Sequence, residues 1–263
     1  MNGLRIHGLP DWVYTVAGAV LFVCGWQLIC SLHLVPVSIL PSPATVVAAL
    51  WSEAGNGRLA SNVIASLFRL VSGFAIGAAV GICLGLLAGT LTAARAVLMP
   101  LVELLRPIPP LAWIPLALIW FGIGEPSKLF LIALTACFPV LVATFKGVEQ
   151  IDPTLIRAAR SLDVPQWRML VKVVLPAAMP DVVTGLRLGW TLGTTILVGA
   201  EMIAASSGLG FMIMDGMNSG RFDLLILGIL TLGTISVVAD GLFGRLSRSR
   251  LLRWHAGLER AEA

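Results

Sequence analysis

An all-α membrane protein, a polytopic bundle of about six transmembrane helices with both termini cytoplasmic, is predicted by three observations on this sequence. The first is composition. Of the 263 residues 57% are hydrophobic and 12% charged, with a mean hydropathy of +0.93, which excludes an ordinary soluble domain. The second is a set of apolar stretches close to the roughly 20 residues that cross a bilayer, at about 12–34, 66–91, 105–124, 128–146, 182–204 and 222–243. The third is charge placement. With six spans, the inner side holds Arg5, Arg95, Arg106, Lys146, Arg157, Arg160, Arg168, Lys172, Arg187 and every arginine after Asp240. Only Arg58, Arg69, Lys128 and Arg221 of the 18 Lys and Arg are left outside. The chain therefore reads as a single membrane domain over 1–263, with a cytoplasmic loop at 147–180 and a basic tail at 244–263.

The first span is too long for a signal-peptide core and no small-x-small site closes it, so it is expected to stay as a helix. After it, Ser42 and Pro43 predict the start of a short external helix with Val46, Val47, Leu50 and Trp51 on one apolar face. Such a helix packs on the bundle at the interface or, alternatively, serves as a lid. In the second span Gly73, Gly77, Gly81, Gly85 and Gly89 recur every four residues, a face that another helix backbone can approach closely. The approaching helix belongs either to the same bundle or to a second copy of the chain.

The third span opens on Pro107, Pro109, Pro110, Trp113 and Pro115 and cannot be a regular helix, because each proline removes a donor and crowds the preceding turn. Irregular backbone at membrane depth survives when it is buried in protein or lines a polar cavity, so Pro107, Pro109, Pro110 and Trp113 are candidate pathway-lining residues. Glu201, at the end of the fifth span, is a further candidate. Arg69, Arg187, Glu201 and Asp240 lie near predicted span ends and are expected to reach toward the interface. The glycine-rich stretch 204–223 reads as an external loop that receives a partner or shapes a vestibule.

The most informative feature is the polar island from Lys146 to Pro180. Too charged to cross a bilayer, it is patterned as two short amphipathic helices. Asp152 caps the first, with Pro153 at the next position. Leu155, Ile156, Ala159 and Leu162 form one face, and Arg157 and Arg160 lie toward the other. Pro165 opens the second helix and Pro176 closes it. A cytoplasmic loop of this design is built to press against another protein.

Other chemistries are excluded. Basic residues are not clustered on a soluble module with stacking aromatics, so nucleic acid is not a partner, and the tail faces solvent and lipid headgroups. Cys24, Cys30, Cys83 and Cys137 lie inside spans without metal-ligand spacing, predicting neither a disulfide nor a metal site. No lysine follows glycine in a phosphate loop, so the chain binds no nucleotide in that way, and His7, His33 and His255 make no catalytic set. An enzyme is not expected. A self-powered secondary carrier would bury ionisable groups at mid-membrane, which the sequence does not do.

Arg157-Ala158-Ala159, then Asp163, then Val173-x-Leu175-Pro176, resembles the Glu-Ala-Ala…Gly…Ile-x-Leu-Pro loop by which ABC importer permeases meet their ATPase. Arg157 stands where Glu is usual and Asp163 where Gly is usual. Asp tolerates the left-handed backbone that such a glycine adopts, whereas Arg157 reverses a charge. Leu40-Pro-Ser-Pro43, Arg106 to Pro115 with Trp120-Phe-Gly-Ile-Gly124, and Thr184-Gly-Leu-Arg-Leu-Gly189 through Ala200-Glu-Met-Ile-Ala204 to Gly208-Leu-Gly-Phe211 resemble the nitrate/sulfonate/taurine branch, taurine permeases most.

The resemblance implies a type I importer permease in the bacterial inner membrane, with a taurine or other alkanesulfonate substrate. Nitrate, bicarbonate, aromatic sulfonate and a vitamin precursor are the alternatives. It further implies a second copy of the chain, two ATPase subunits that use ATP and Mg, and a periplasmic or lipid-anchored binding protein. In that assembly Leu155, Ile156, Ala158, Ala159 and Leu162 seat in the ATPase groove. Asp152 caps their helix, Arg157, Arg160 and Asp163 supply polar contacts or the turn, and Pro165, Leu175 and Pro176 bound the second helix.

Overall fold

Every regular element among the described residues is helical. The computed structural model describes residues 11–247 apart from 33, 37 and 38, so the ends of the chain and most of the basic tail lie outside the described residues. Two compact units divide the chain, one formed by 1–60 with 212–229 and the other by 61–211 with 230–263.

The smaller unit contains α1 (Asp11–Ser31) and α2 (Pro43–Gly55), and α10 (Leu209–Asn218) enters it from residue 212. Ser42 caps α2 as expected, its Oγ accepting the Thr45 N–H at 3.3 Å, and Trp26 Nε1 donates to the Pro41 carbonyl at 3.1 Å. The inward face of α2 differs from the predicted one. Val46, Ala49 and Glu53 are buried, whereas Val47, Leu50 and Trp51 point outward. The Glu53 carboxylate sets this register, because Arg221 donates to it at 3.5 Å and Arg58 pairs with it at 3.7 Å. Of the predicted apolar face only Val46 is buried.

The larger unit is organised around α6 (Glu125–Glu149). Helix α3 (Arg58–Thr90) lays its glycines along one side of it. A Cβ on Gly77 would collide with the Ala133 carbonyl, one on Gly81 would sit 2.7 Å from the Cys137 oxygen, and one on Gly85 would sit 2.6 Å from Thr144 Cβ. Gly73 and Gly89 meet Ile132 and Val148 in the same way. The stripe is thus filled within the chain by α6, at a backbone approach that only glycine permits. Helix α9 (Leu175–Ala204) meets α6 through a second small-residue stripe: a Cβ on Gly185 would lie 2.6 Å from Ala143 Cβ, and one on Gly189 would lie 3.1 Å from the Ala136 oxygen.

Two predicted elements are corrected. The stretch 105–124 is not one span: α4 (Thr92–Leu105) ends there, and after a 3-10 turn at Pro110–Trp113 the chain resumes in α5 (Ile114–Phe121), the two arms bent by 94°. Pro110 forces Pro109 into extended backbone (φ −56°, ψ 133°), which breaks the helix. Pro176 does not close a helix either. From Pro165 the chain runs through α8 (Gln166–Met169) and a π turn at Leu170–Val174 straight into α9, a continuous rod from Gln166 to Ala204. Pro176 occupies the first turn after the π segment, where the ladder changes register and its missing N–H is tolerated.

Four helices among the described residues are long and apolar enough to cross a membrane: α3, α6, the rod 166–204, and α11 (Phe222–Ser247) over Phe222–Arg245. The bent pair makes a fifth when counted as one crossing, and the apolar part of α1, Val16–Ser31, is shorter.

Candidate functional site

Three features stand out: the segment around α7, a buried ion network, and two cavities beside α9. Helix α7 (Pro153–Ser161) begins at Asp152, whose carboxylate accepts the Thr154 N–H at 2.7 Å. That bond holds the Asp152 carboxyl below its ordinary range. The helix ends in a Schellman turn. The Asp163 N–H donates to the Arg160 carbonyl at 3.0 Å, and the Val164 N–H donates to that of Ala159 at 3.3 Å. Asp163 carries φ +49°, the one positive value among described non-glycine residues. Asp163→Gly is therefore expected to raise stability, by roughly 1 kcal/mol, and Asp163→Val to lower it by a similar amount, read from thermal melts.

The apolar residues of α7 divide between two sides. Ala159 is 7% exposed, and half-buried Ile156 packs on Val148, Ile151 and Val174, anchoring α7 to its own chain. Leu155, Ala158 and Leu162, the last 78% exposed, face outward with Arg157, Arg160, Asp163 and Trp167. The predicted docking face is thus corrected: Ile156 and Ala159 are claimed by the core, because α7 needs its own anchor. Arg157 donates to the Thr154 hydroxyl at 3.2 Å. At the foot of α6, Arg95 pairs with Glu149 at 2.7 Å and stacks over the Phe145 ring.

The ion network is centred on Arg69, which is 4% exposed. Its Nε and Nη2 donate to the Glu125 carboxylate at 2.7 and 2.8 Å. Nη1 donates to Glu201 at 2.7 Å and to the Ser207 carbonyl at 2.6 Å, and Nη2 also donates to the Ser207 hydroxyl at 3.0 Å. Those five bonds match the five N–H groups of a guanidinium. Glu201, fully buried, also accepts from the Ser66 hydroxyl at 2.8 and 2.9 Å and from the Gly210 N–H at 2.9 Å. Lys128 donates to Glu125 at 2.9 Å. Gly208, at φ +117°, brings its backbone so close to the Glu201 carboxylate that any Cβ would collide with it. Glu201 and Arg69 therefore do not reach for the interface. They tie α3, α6 and α9 to the 205–210 turn.

An open groove of about 490 Å³ runs between α9 and α11, lined by Thr191, Thr194, Thr195, Val198 and Gly199 on one side, Leu232, Gly233 and Ser236 on the other, and Leu111. A smaller cavity of about 170 Å³ is lined by Arg106, Ile108, Pro110 and Trp113 together with residues of α6 and α9. Of the residues expected to line a pathway, Pro110 and Trp113 border this smaller cavity, while Pro107, Pro109 and Glu201 border neither. Glu201 is withdrawn because its carboxylate is saturated with buried donors. One turn beyond the groove, Arg187 and Asp240 form a two-pronged pair at 2.5 and 2.6 Å, each about half exposed. Sequence reasoning missed the groove, although Thr184, Arg187, Thr191 and Thr195 repeat at helical spacing and so mark one polar face. It also missed Ser66, Glu125 and Ser207, whose only signal is spatial.

Residues 81–251 match the family of binding-protein-dependent transport system inner membrane components. The taurine transport system permease protein of Escherichia coli is 37% identical, across 89% of this chain and 86% of its own length. The bicarbonate transport system permease protein of Synechococcus elongatus is 34% identical, across 94% and 95%. Among solved structures, an inward-facing form of the MetNI methionine ABC transporter aligns with a TM-score of 0.54 at 21% identity, covering 70% of this chain and 89% of that one.

Proposed function

The chain belongs to the family of binding-protein-dependent transport system inner membrane components, and from that premise we propose that it forms the passage for taurine or another alkanesulfonate in an ATP-driven importer. It is a multi-pass inner-membrane permease subunit of an ABC importer, works with an ATPase and a binding protein, and is not itself an enzyme. In the proposed assembly two copies stand side by side in lipid with both termini cytoplasmic, above two ATPase subunits and below a periplasmic or lipid-anchored binding protein. ATP and Mg stay on the ATPases, and this chain holds no cofactor.

The observation that carries the reading is α7. It presents Leu155, Ala158 and Leu162 outward while Ile156 and Ala159 fix it to the chain's core. An exposed apolar edge on a rigidly anchored helix suits a groove on a partner. Closure of the ATPases on ATP draws the two α7 helices together. Because α7 is packed on Val148 and Val174, the foot of α6 and the start of the 166–204 rod move with it. Hydrolysis releases the ATPases and returns the rods.

The choice of sulfonate rests on the taurine-transport relative, and bicarbonate is the second reading, favoured by the Synechococcus relative. Reconstitution with the ATPase and binding protein in proteoliposomes, followed by ATP-dependent uptake of labelled taurine, methanesulfonate and bicarbonate, tests both. Sulfonate uptake is the expected result. Uptake of bicarbonate alone would replace the substrate, and uptake without ATP would overturn the class.

A further inference from the structure

The geometry points to Arg187 as an oxyanion-binding residue at one end of the groove between α9 and α11, with Asp240 as the resident partner that a passing anion displaces. This rests on the proposed reading of the substrate as a small oxyanion. On α9, Thr184, Arg187, Thr191 and Thr195 are all exposed and follow one another at helical spacing, and on α11 Gly233, Ser236 and Asp240 follow at the same spacing, Gly233 exposed and the other two half-buried. The two rows face each other: Thr191, Thr195, Gly233 and Ser236 line the groove, and the Arg187–Asp240 pair lies one turn beyond its end.

Leu188 and Leu192 flank the row on α9, and Val237 and Val238, with Thr234 whose hydroxyl donates to the Leu230 carbonyl, flank it on α11. Polar groups segregated on one face of two apolar helices belong to water or protein, not to lipid tails. From Thr184 to Thr195 the row extends about 16 Å at roughly 1.5 Å per residue, about half of the roughly 30 Å hydrocarbon core. Arg69, on α3, has every donor bound in the buried network, Lys128 is buried against Glu125, and Arg106 borders the smaller cavity rather than this groove. Arg187 is different. Its guanidinium is 51% exposed and held by one carboxylate in the fork geometry that a sulfonate or carbonate also satisfies. The Thr191 and Thr195 hydroxyls donate to the Arg187 and Thr191 carbonyls at 3.1 Å, so each must turn from its backbone acceptor to donate to an anion moving along the row.

The test uses the full complex carrying T191C, with Cys24, Cys30, Cys83 and Cys137 replaced by alanine. The introduced thiol is labelled with a sulfonate-bearing and a trimethylammonium-bearing methanethiosulfonate of similar size. D240N, which frees the guanidinium, should raise the anion-to-cation rate ratio about tenfold or more, and R187Q should reverse the preference. With the native pair intact, methanesulfonate in solution should slow labelling, so the inference stays testable even where a single-charge variant fails to assemble. Absence of labelling by both reagents, a ratio indifferent to both substitutions, or no protection by methanesulfonate would overturn the site. Failure of the substrate reading shows separately, as absent sulfonate uptake by the unmodified complex.

Discussion

Replacing Glu201 with alanine is expected to destabilise the chain by about 3–5 kcal/mol, the cost of taking one carboxylate out of a buried ion network and leaving its donors without an acceptor. The residue is fully buried and accepts from Arg69, the Ser66 hydroxyl and the Gly210 N–H. Alanine removes the acceptor for all three at once. Arg69 keeps Glu125, which is itself half-exposed, so the guanidinium retains one carboxylate where it had two. The Gly210 N–H loses its side-chain acceptor, and the 205–210 turn loses its anchor to α9. Glu201→Gln should cost less, because the amide oxygen still accepts from Ser66 or Gly210, although the charge is lost and the NH2 group replaces the second accepting oxygen. Melting of the purified complex in detergent measures both, and a shift on the order of 10 °C is expected for alanine. Melting temperatures of Glu201→Ala and Glu201→Gln that match the parent would refute a structural role for the network.

The fold was legible where one residue type repeats at one spacing. Gly73 through Gly89 announce a helix contact four residues apart, and a Cβ at each would strike α6. The caps of α2 and α7 were legible because Ser42-Pro43 and Asp152-Pro153 encode them locally. Asp163 was legible as a left-handed position through the resemblance, because it stands where glycine is usual. What the sequence hides is anything decided by a partner distant along the chain. Glu201 and Arg69 sit near the ends of apolar runs, where long charged side chains ordinarily reach for water. Only the meeting of residues 132 positions apart turns them into a buried pair. The same holds for α7, where Leu155, Ile156, Ala159 and Leu162 share one hydrophobic face on a helical wheel. Which edge of that face packs inward depends on Val148, Ile151 and Val174, and those residues take Ile156 and Ala159. Pro176 misleads for a different reason: a π turn one step earlier absorbs the missing hydrogen bond, and no residue pattern announces a π turn.

Leu162→Asp is expected to abolish coupled transport while leaving the chain folded. Leu162 is 78% exposed and stands at the C-cap of α7, beside the Schellman turn, so aspartate there disturbs no packing of the permease. In the proposed assembly the same side chain is buried against the ATPase, where an unpaired carboxylate costs several kcal/mol. The consequence is weaker association of the two subunits, or a complex that hydrolyses ATP without moving substrate. Ala159→Asp cannot make this distinction. Ala159 is 7% exposed within its own chain, and a charge there would unseat α7 whether or not an ATPase binds. The informative comparison is therefore Leu162→Asp against Leu162→Ala, with three readouts on each: melting temperature of the isolated permease, co-purification with the ATPase, and substrate uptake per ATP hydrolysed. Unchanged melting with uptake reduced by about tenfold or more for aspartate, and a smaller loss for alanine, is the pattern of an interface residue. Full uptake by Leu162→Asp would move the ATPase contact off the outward edge of α7, because Leu162 is far more exposed than Leu155, the other large apolar side chain on that edge.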